Sequence, residues 1–570
     1  MGLRYIALSA FIWSLSRALL LAGGGPENVA LIVNQASEDS LTLANHYRAL
    51  RDIPPRNLVY LDWQGDRNQT DFEHLRSEIL LPVFRALRER GLEDQIDYFV
   101  YSCDFPWRVR APQWKDKLPP QLAPTASLTG ATYLCRLWDV PLDATYQQFF
   151  ALGNNFYCQS VRADAESIAT HAFRSSRHWL PGGEPDSKAG ARYLLSMMLG
   201  ATAPQGNTVE EIIAYLRASA AADGALPQGT IYFMKNGNVR STTRQPLFPL
   251  ALRELERLDI GAEQIQGTLP RDAPRVAGLM AGCASFDWNA SNSKIVPGAI
   301  CEHLTSFGGV LSHDTGQTSL CEFLRHGAAV STGTVCEPYA IQAKFPLPTL
   351  HVHYARGCTA AEALYQSVAG PFQLLAVGDP LCRPWARAPT IEVDGIDPGA
   401  TVSGKLALSP RGKAAAGATA AIDEFQLFLD GLLVGRCAAE GGFAIDTSIL
   451  PDGQHELRVV GIEATPIATQ GRLVLPFSVD NHGRRTTLVF QDPDSNASAG
   501  PVVTVQCAGA DRVALLANGR VVGTLRGENG ELTIEAASLG RGPVAMQAVA
   551  YDNRGRSVAT SEIVVRDDLQ

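Results

Sequence analysis

Short apolar runs alternate with helix-length patterns along the first two thirds of this chain, and this alternation constrains the fold more than any other feature. VAGLMAGC at residues 276–283 and GAAVSTGTV at 327–335 are apolar runs of strand length. Between such runs, apolar residues recur at helical spacing, as in SLTLANHYRALRDI at 40–53. Parallel strands need crossover connections of this kind. Residues 26–388 are therefore predicted to form one α/β domain around a mostly parallel, doubly wound sheet.

About six to eight strands are expected in this sheet. Their approximate centres are Val29, Leu58, Tyr98, Ile231, Ala277, Val330 and Leu375. PGAICEHLTSFGG at 297–309 starts with proline and ends in glycines, which predicts a helix, and ARYLLSMMLG at 191–200 is also predicted to be helical. Residues 113–190 lose the pattern and are predicted to be an insertion carrying loops.

LHVHY at 350–354 is predicted to be a strand, on which His351 and His353 would face the same side. The two imidazoles could share a metal ion with Cys358 or with a distant carboxylate. No third ligand stands at a known spacing, however, so neither a metal site nor a cofactor is predicted.

The pattern changes after Pro384, where short alternating strands are divided by Gly, Asp and Pro. FQLFLDGLLVG at 425–435 matches VALLANGRVVG at 513–523, so that Gly431 aligns with Gly519. This diverged tandem repeat predicts two all-β immunoglobulin-like sandwiches, at residues 389–490 and 500–568. Asp430-Gly431 and Asn518-Gly519 are predicted to form tight hairpin turns.

The N-terminal residues have the order of a secretory signal, because Arg4 precedes an apolar run that ends in small residues. Residues 1–25 are predicted to be a signal peptide or an N-terminal anchor, and the protein is expected in the periplasm or at the cell surface. A membrane would be contacted only through an uncleaved N-terminal segment. The net charge of −9 gives no electrostatic footprint for nucleic acid. The eleven cysteines are spread singly, which favours buried thiols in the core.

Several motifs in the first two thirds of the chain occur in the order found in one family. They are NVALIVNQASEDSLTLANHYRALRDIPPRNLVYL, DYFVYSCDFPWRV, PGAICEHLTSFGG, GAAVSTGTVCEP and VGDPLCRPW. Together they resemble an uncharacterised family of exported bacterial proteins that occur in genomes encoding exosortase. The resemblance implies a role in surface-protein or exopolysaccharide biology, and it brings no established activity.

LMAGCASF, SLCEFLRHGAAVSTGT and VGDPL also resemble segments of gingipain-like and caspase-like cysteine peptidases. That resemblance implies a caspase-like sheet, with Cys283 at the position of the nucleophile. The histidine of those peptidases should follow the preceding strand, but TIYFMKNGNVR at 230–240 has none. A thiolate needs a base nearby, and the nearest candidate is His313 with Asp314 beside it. A flavodoxin-like sheet is the other expectation for the α/β domain.

Polar side chains follow most of the predicted strands. Since the carboxyl ends of parallel strands meet at one edge, a polar binding cleft is predicted there. Its members are Asn34, Asp104, Arg108, Asn236, Arg240, Asp287, His313 and Glu337. The alternative for each of them is a helix cap or a turn.

The leading prediction for function is binding or assembly in the cell envelope, with a surface protein or a glycan as partner. The alternative is a cysteine peptidase or transpeptidase that uses Cys283, His313 and Asp314. The oligomeric state is left open by the sequence.

Overall fold

The computed structural model describes residues 24–139, 149–491 and 501–568. The signal peptide or anchor predicted at 1–25 lies outside the described residues, except for Gly24 and Gly25, which are buried. Within the described part, no helix combines the length and the apolar character needed to cross a bilayer.

Ten strands form the central sheet of the α/β domain, in the spatial order β6-β5-β7-β8-β9-β10-β4-β3-β1-β2. Their bounds are β1 Val29–Asn34, β2 Leu58–Leu61, β3 Tyr98–Tyr101, β4 Leu195–Met198, β5 Thr230–Lys235, β6 Ala262–Gln266, β7 Val276–Gly282, β8 Ile295–Leu304, β9 Val330–Thr334 and β10 Leu374–Gly378. The prediction of a large, mostly parallel sheet is confirmed. Every residue of β1, β3, β4, β7, β9 and β10 is buried, as expected for strands covered on both faces.

β10 is the one strand of this sheet that runs against its neighbours. It pairs antiparallel with β9 over five residue pairs. It touches β4 through a single bridge, Val377–Met198, which is locally of parallel type. The surrounding contacts nevertheless show that β10 ends where the other strands begin, because Asp379 bonds Ala329, just before β9, and pairs with Arg51, before β2.

At the opposite edge the loop after β4 bonds the loop after β8, through Gln205 N and Leu311 O, 3.0 Å apart. The other nine strands therefore share one direction, and their carboxyl ends lie along one edge of the sheet.

Helices cover the sheet in two groups that pack among themselves. The first group contains α1 Glu38–Arg51, α4 Val209–Ala221 and α7 Cys321–Arg325, and the second contains α6 Phe248–Arg257, α8 Thr349–Ala355 and α9 Ala360–Tyr365. The remaining α-helices are Phe72–His74, α2 Leu81–Glu89, α3 Leu128–Tyr133 and α5 Val239–Thr242, and a π-helical segment spans Leu75–Leu80. The insertion near 113–190 contains mostly short elements, and its residues 140–148 lie outside the described part.

Three predicted elements are of the wrong type. The segments at 191–200 and 297–309, predicted to be helices, contain the strands β4 and β8. β4 and residues 298–304 of β8 are buried, so their apolar residues show no period of two. The segment with His351 and His353 is the helix α8 rather than a strand. The two imidazoles are two residues apart and therefore do not share a helix face.

Two mostly antiparallel β-sandwiches follow the α/β domain, with one parallel pair in the first. The first combines a sheet of Thr390–Asp394, Lys405–Lys413 and Phe443–Asp446 with a sheet of Thr401–Val402, Ile422–Leu429, Leu432–Ala438, Gly453–Glu463 and Gln470–Val479. The second combines Thr486–Phe490, Val502–Cys507 and Asn529–Thr533 with Arg512–Ala517, Arg520–Arg526, Val544–Tyr551, Ser557–Thr560 and Val564–Arg566. The strand at 486–490, inside the range predicted for the first unit, thus pairs within the second.

The repeated turns of both sandwiches dock on the α/β domain. Asp430-Gly431 and Asn518-Gly519 form the hairpin turns predicted for them, with positive φ at all four residues. A Cβ added at Gly431 would lie 2.5 Å from Pro54 Cβ, and one at Gly519 would lie 2.6 Å from Pro55 O. The two halves of the tandem repeat therefore contact adjacent residues, and glycine is needed at both turns.

Candidate functional site

Cys283 directly follows β7, at the carboxyl edge of the sheet. Its residue is only 6% exposed, and burial raises the pKa of the thiol to about 12, although Arg240 and Arg244 lie nearby. At pH 7 such a thiol is almost entirely protonated. Among the described residues no hydrogen bond joins Cys283 Sγ to an imidazole. The surroundings of Cys283 therefore do not activate it as a nucleophile.

Asn236 follows β5, where the peptidases resembled by this chain would carry histidine. Its amide Nδ2 donates to Gly282 O and to Gly267 O, each at 3.2 Å, and its Oδ1 accepts from Asn238 N. The side chain thus ties the ends of β5, β6 and β7 together. Asn236 has a structural role at the position where a catalytic base would be needed.

The segment after Asn236 lies directly against β7. A Cβ added at Gly282 would be 2.3 Å from the Ser241 amide nitrogen in α5, so only glycine permits this approach. Arg240 precedes that contact and extends Nη2 to 3.3 Å from Ser306 Oγ, in the loop after β8. Asn236, Arg240 and Cys283 therefore form one local cluster, as the sequence predicted for neighbouring strand ends.

A buried ion pair lies below this cluster and was not found from the sequence. Arg244 and Glu302, in β8, have side chains with no exposed area and pair directly. Arg244 also donates to Ala281 O at 2.8 Å and to Pro346 O at 2.9 Å. Burial raises the pKa of Glu302 even though Arg244 opposes that effect. The guanidinium thus joins β7, β8 and the loop before α8. The charged letters in CEHL are the sequence signal for this pair, but the pattern around them predicts a helix.

His303, next to Glu302, is the imidazole on the strand beside β7. Burial lowers its pKa to about 3, and Arg244 acts in the same direction. Its ring packs edge-on against Phe286 and Phe323, at centroid distances of 5.0 and 5.7 Å. This histidine is a neutral core residue.

Asn34 and Asp104 meet in a second cluster, at the other part of the same edge. Asn34 Nδ2 donates to Asp104 O at 2.9 Å. The Asp104 carboxylate accepts from Ser37 Oγ at 2.6 Å and from Thr202 Oγ1 at 2.8 Å, and it pairs with Arg67 at 2.8 Å. One carboxylate therefore joins the loops that follow β1, β2, β3 and β4, which is a structural function.

Arg108 and Glu337 both lie near Cys336, and they act on the pKa of its thiol in opposite directions. Arg108 donates to Gln69 Oε1 at 3.0 Å, and Glu337 Oε1 accepts from Tyr339 N at 2.8 Å. Lys344 also faces this group, and burial lowers the pKa of its ammonium to about 8, while Cys336 and Glu337 oppose that effect.

Asp287, His313 and Asp314 lie on exposed loops of the same edge. Asp287 accepts from Ala290 N and Asp314 accepts from Gly316 N, so both close turns. The Nδ1 of His313 lies 2.9 Å from Ser312 Oγ.

A polar cavity of about 370 Å³ opens beside these loops. Asp314, Gln317, Ser285, Gln205 and Arg325 contribute to its walls. The loops after β4, β7 and β8 thus meet in a small pocket at the carboxyl edge.

The predicted cleft residues share an edge but do not form one pocket. In the order of the sheet, β5 and β3 are six positions apart. At a strand spacing of about 4.8 Å, this separates the Asn236 and Asp104 clusters by about 29 Å. The residues lie along one edge, but the width of the sheet divides them into separate groups.

The cysteines and the metal question are simpler. All eleven cysteines are unpaired, nine of them buried and the other two, Cys336 and Cys437, partly buried. The expectation of buried thiols is confirmed. In the described part of the chain, no group of three or more His, Cys, Asp or Glu side chains is arranged to hold a metal ion.

No protein-family model and no curated protein matches the chain. Solved structures similar to parts of it include the fibronectin(III)-like modules of CbhA from Clostridium thermocellum, with 17% identity over 31% of this chain and 91% of that one, at a TM-score of 0.14. The Bacteroides ovatus protein SGBP-B, in complex with a mixed-linkage heptasaccharide, has 14% identity over 31% of this chain and 46% of that one, at 0.18. Dimeric latent PorU from Porphyromonas gingivalis has 13% identity over 31% of this chain and 20% of that one, at 0.13. Scores this low carry no argument about fold or function.

Proposed function

We propose that this protein is a non-catalytic binding protein of the cell envelope, whose α/β domain holds a surface protein or a glycan at the carboxyl edge of its sheet. The observation that carries the proposal is the environment of Cys283. The thiol is buried and protonated, and Asn236 serves a structural role where a base would be required. An enzyme of the peptidase class would need the opposite arrangement.

The binding part of the proposal is supported by the cavity near Cys283. Its described walls offer hydroxyl, amide, carboxylate and guanidinium groups, which are the groups that bind polar ligands. The cavity lies outside the carboxyl ends of parallel strands, where ligands of open α/β sheets bind. Export and the exosortase-associated context are further parts of this proposal, and they rest on the N-terminal sequence and on the family resemblance.

The test compares binding with cleavage. The protein is applied to an array of bacterial envelope oligosaccharides and to an array of surface-protein peptides, and the same peptides are analysed for cleavage by mass spectrometry. We expect binding without cleavage. Cleavage that disappears in Cys283→Ser would overturn the proposal and establish the peptidase alternative.

A cavity-filling variant locates the site. Ser285→Trp places an indole in the cavity wall and should abolish binding, whereas Ser187→Trp, on an exposed loop of the insertion, should leave it unchanged. Equal binding by both variants would refute the assignment of the ligand to this cavity.

A further inference from the structure

A groove lies between the two sandwiches and is unrelated to the carboxyl edge of the α/β sheet. Its volume is about 580 Å³. Ser478 and Asp480, at the end of the first sandwich, form one side, and residues 486–489 and 560–562 contribute to the other. Both charge signs are present, since Arg484 and Arg485 face the groove together with Asp480 and Glu562. The groove is therefore polar and close to neutral overall.

One wall of the groove is an edge strand with unpaired backbone. Thr486–Phe490 is the outer strand of its three-stranded sheet and pairs only with Val502–Cys507. Hydrogen-bonded and non-hydrogen-bonded residue pairs alternate along these two strands. Gln491 N donates to Val502 O at 3.0 Å, and this bond fixes which pairs are hydrogen-bonded. Alternation then directs the N–H and C=O groups of residues 486, 488 and 490 away from the partner strand. The backbone N–H and C=O of Leu488 therefore point away from Val502–Cys507, toward the open edge of the sheet.

A second observation points to a missing partner at the same place. Thr486 is only 9% exposed and lines the groove, yet its Oγ1 is buried without a hydrogen-bond partner among the described residues. Buried hydroxyls are almost always hydrogen-bonded, so an orphan requires a reason. A ligand in the groove would supply it.

The chemistry of the walls favours a peptide over a sugar. None of the described lining residues is aromatic, so the groove lacks the ring on which sugars stack. It offers instead alternating main-chain donors and acceptors and the side chain of Val489, which is 57% exposed. We propose that the groove binds an extended peptide segment of a partner protein, which adds as a strand to Thr486–Phe490. Strand addition of this kind takes affinity from main-chain hydrogen bonds and specificity from alternate side chains.

The proposal is tested with a fluorescein-labelled peptide of four Thr-Val repeats, measured by fluorescence anisotropy against the full chain. Two further peptides carry N-methyl groups at alternate residues, in the two possible phases, so that each blocks one edge of the peptide strand. We expect binding of the parent peptide, loss of about tenfold or more in affinity for one phase, and little change for the other. Equal affinity of all three peptides, loss for both phases, or no binding of the parent would each overturn the proposal.

Protein variants then locate the site. Leu488→Pro removes the outward N–H but none of the hydrogen bonds to Val502–Cys507, and it should weaken binding about tenfold or more. The control Leu488→Ala keeps that N–H and should bind the peptide nearly as well as the unmodified protein does. Thr486→Val should also weaken binding, because it removes the orphan hydroxyl. Ser187→Trp, on an exposed loop of the insertion, should leave peptide binding intact, and a loss equal to that of Leu488→Pro would refute the assignment to the groove. The N-methyl peptides decide the question even if Leu488→Pro does not fold.

Discussion

Replacing Glu27 with glutamine should weaken the attachment of the first sandwich to the α/β domain. Glu27 is 1% exposed, and its Oε1 lies 3.0 Å from Arg458 Nη1 and 3.1 Å from Arg472 Nε, both in the first sandwich. Burial alone would raise the pKa of Glu27, but Arg472 and Arg458 hold it at about 2, below the ordinary value of 4.5. The ionised carboxylate is therefore strongly favoured in the folded protein.

The magnitude follows from this difference in pKa. At about 1.4 kcal/mol per pH unit, the difference between 4.5 and about 2 corresponds to about 3 kcal/mol of stability. Removing one partner of a buried ion pair costs about 3–5 kcal/mol, which agrees. Because the folded pKa is the lower one, this stability is fully present above pH 4.5 and is lost as the pH falls toward 2.

The assay is urea unfolding of the full chain at several pH values, followed by circular dichroism. Glu27→Gln should reduce the free energy of unfolding by about 3 kcal/mol at pH 7 and much less near pH 2. The matched control is Glu392→Gln, which changes an exposed carboxylate on the first sandwich and should have little effect. A loss below about 0.5 kcal/mol at pH 7, the size of an ordinary surface substitution, would refute the buried-pair reasoning.

Three further variants test the region around the carboxyl edge. Gly282→Ala should cost more than about 1 kcal/mol in urea unfolding, because its Cβ would lie 2.3 Å from Ser241 N, and an unchanged midpoint would show that α5 can move away. Arg244→Met should lower the free energy of unfolding by about 3–5 kcal/mol, because it leaves the Glu302 carboxylate buried without a partner. Adding Glu302→Leu should recover much of the loss, since no unpaired charge then remains buried. A double variant that is no more stable than the single one would contradict this. Burial lowers the pKa of His351 to about 3, so its protonation opposes folding between pH 6.5 and about 3. His351→Phe should therefore reduce the slope of unfolding free energy against pH in this range by about 1.4 kcal/mol per pH unit. An unchanged slope in acid titrations would contradict this.

The sequence predicted the class of the fold well where a local signal was present. Apolar runs marked seven of the ten strands, and the Asp-Gly and Asn-Gly dipeptides located two hairpin turns. β4 and β8 were missed because a strand buried on both faces has no period of two. In β8, Glu302 is tolerated only because Arg244, 58 positions earlier, lies beside it in the fold, and no local pattern contains that information.

The candidate site could be predicted only in part for a similar reason. Asn34 ends β1, while Asp104, Asn236 and Cys283 follow their strands, so all four lie at one edge of the sheet. The order of the strands decides which of them meet, and it is set by long-range pairing rather than by local sequence. Burial of Cys283 likewise depends on α5, which the contact at Gly282 brings close.

Alkylation of Cys283 tests the central claim most directly. The folded protein is treated with iodoacetamide between pH 6 and 9, and the labelled cysteines are identified by peptide mass spectrometry, with a urea-unfolded sample as the control. A buried thiol of pKa about 12 should remain unlabelled at Cys283 until the protein unfolds. Rapid, selective labelling of Cys283 in the folded protein, with a midpoint below pH 8, would contradict the non-catalytic account.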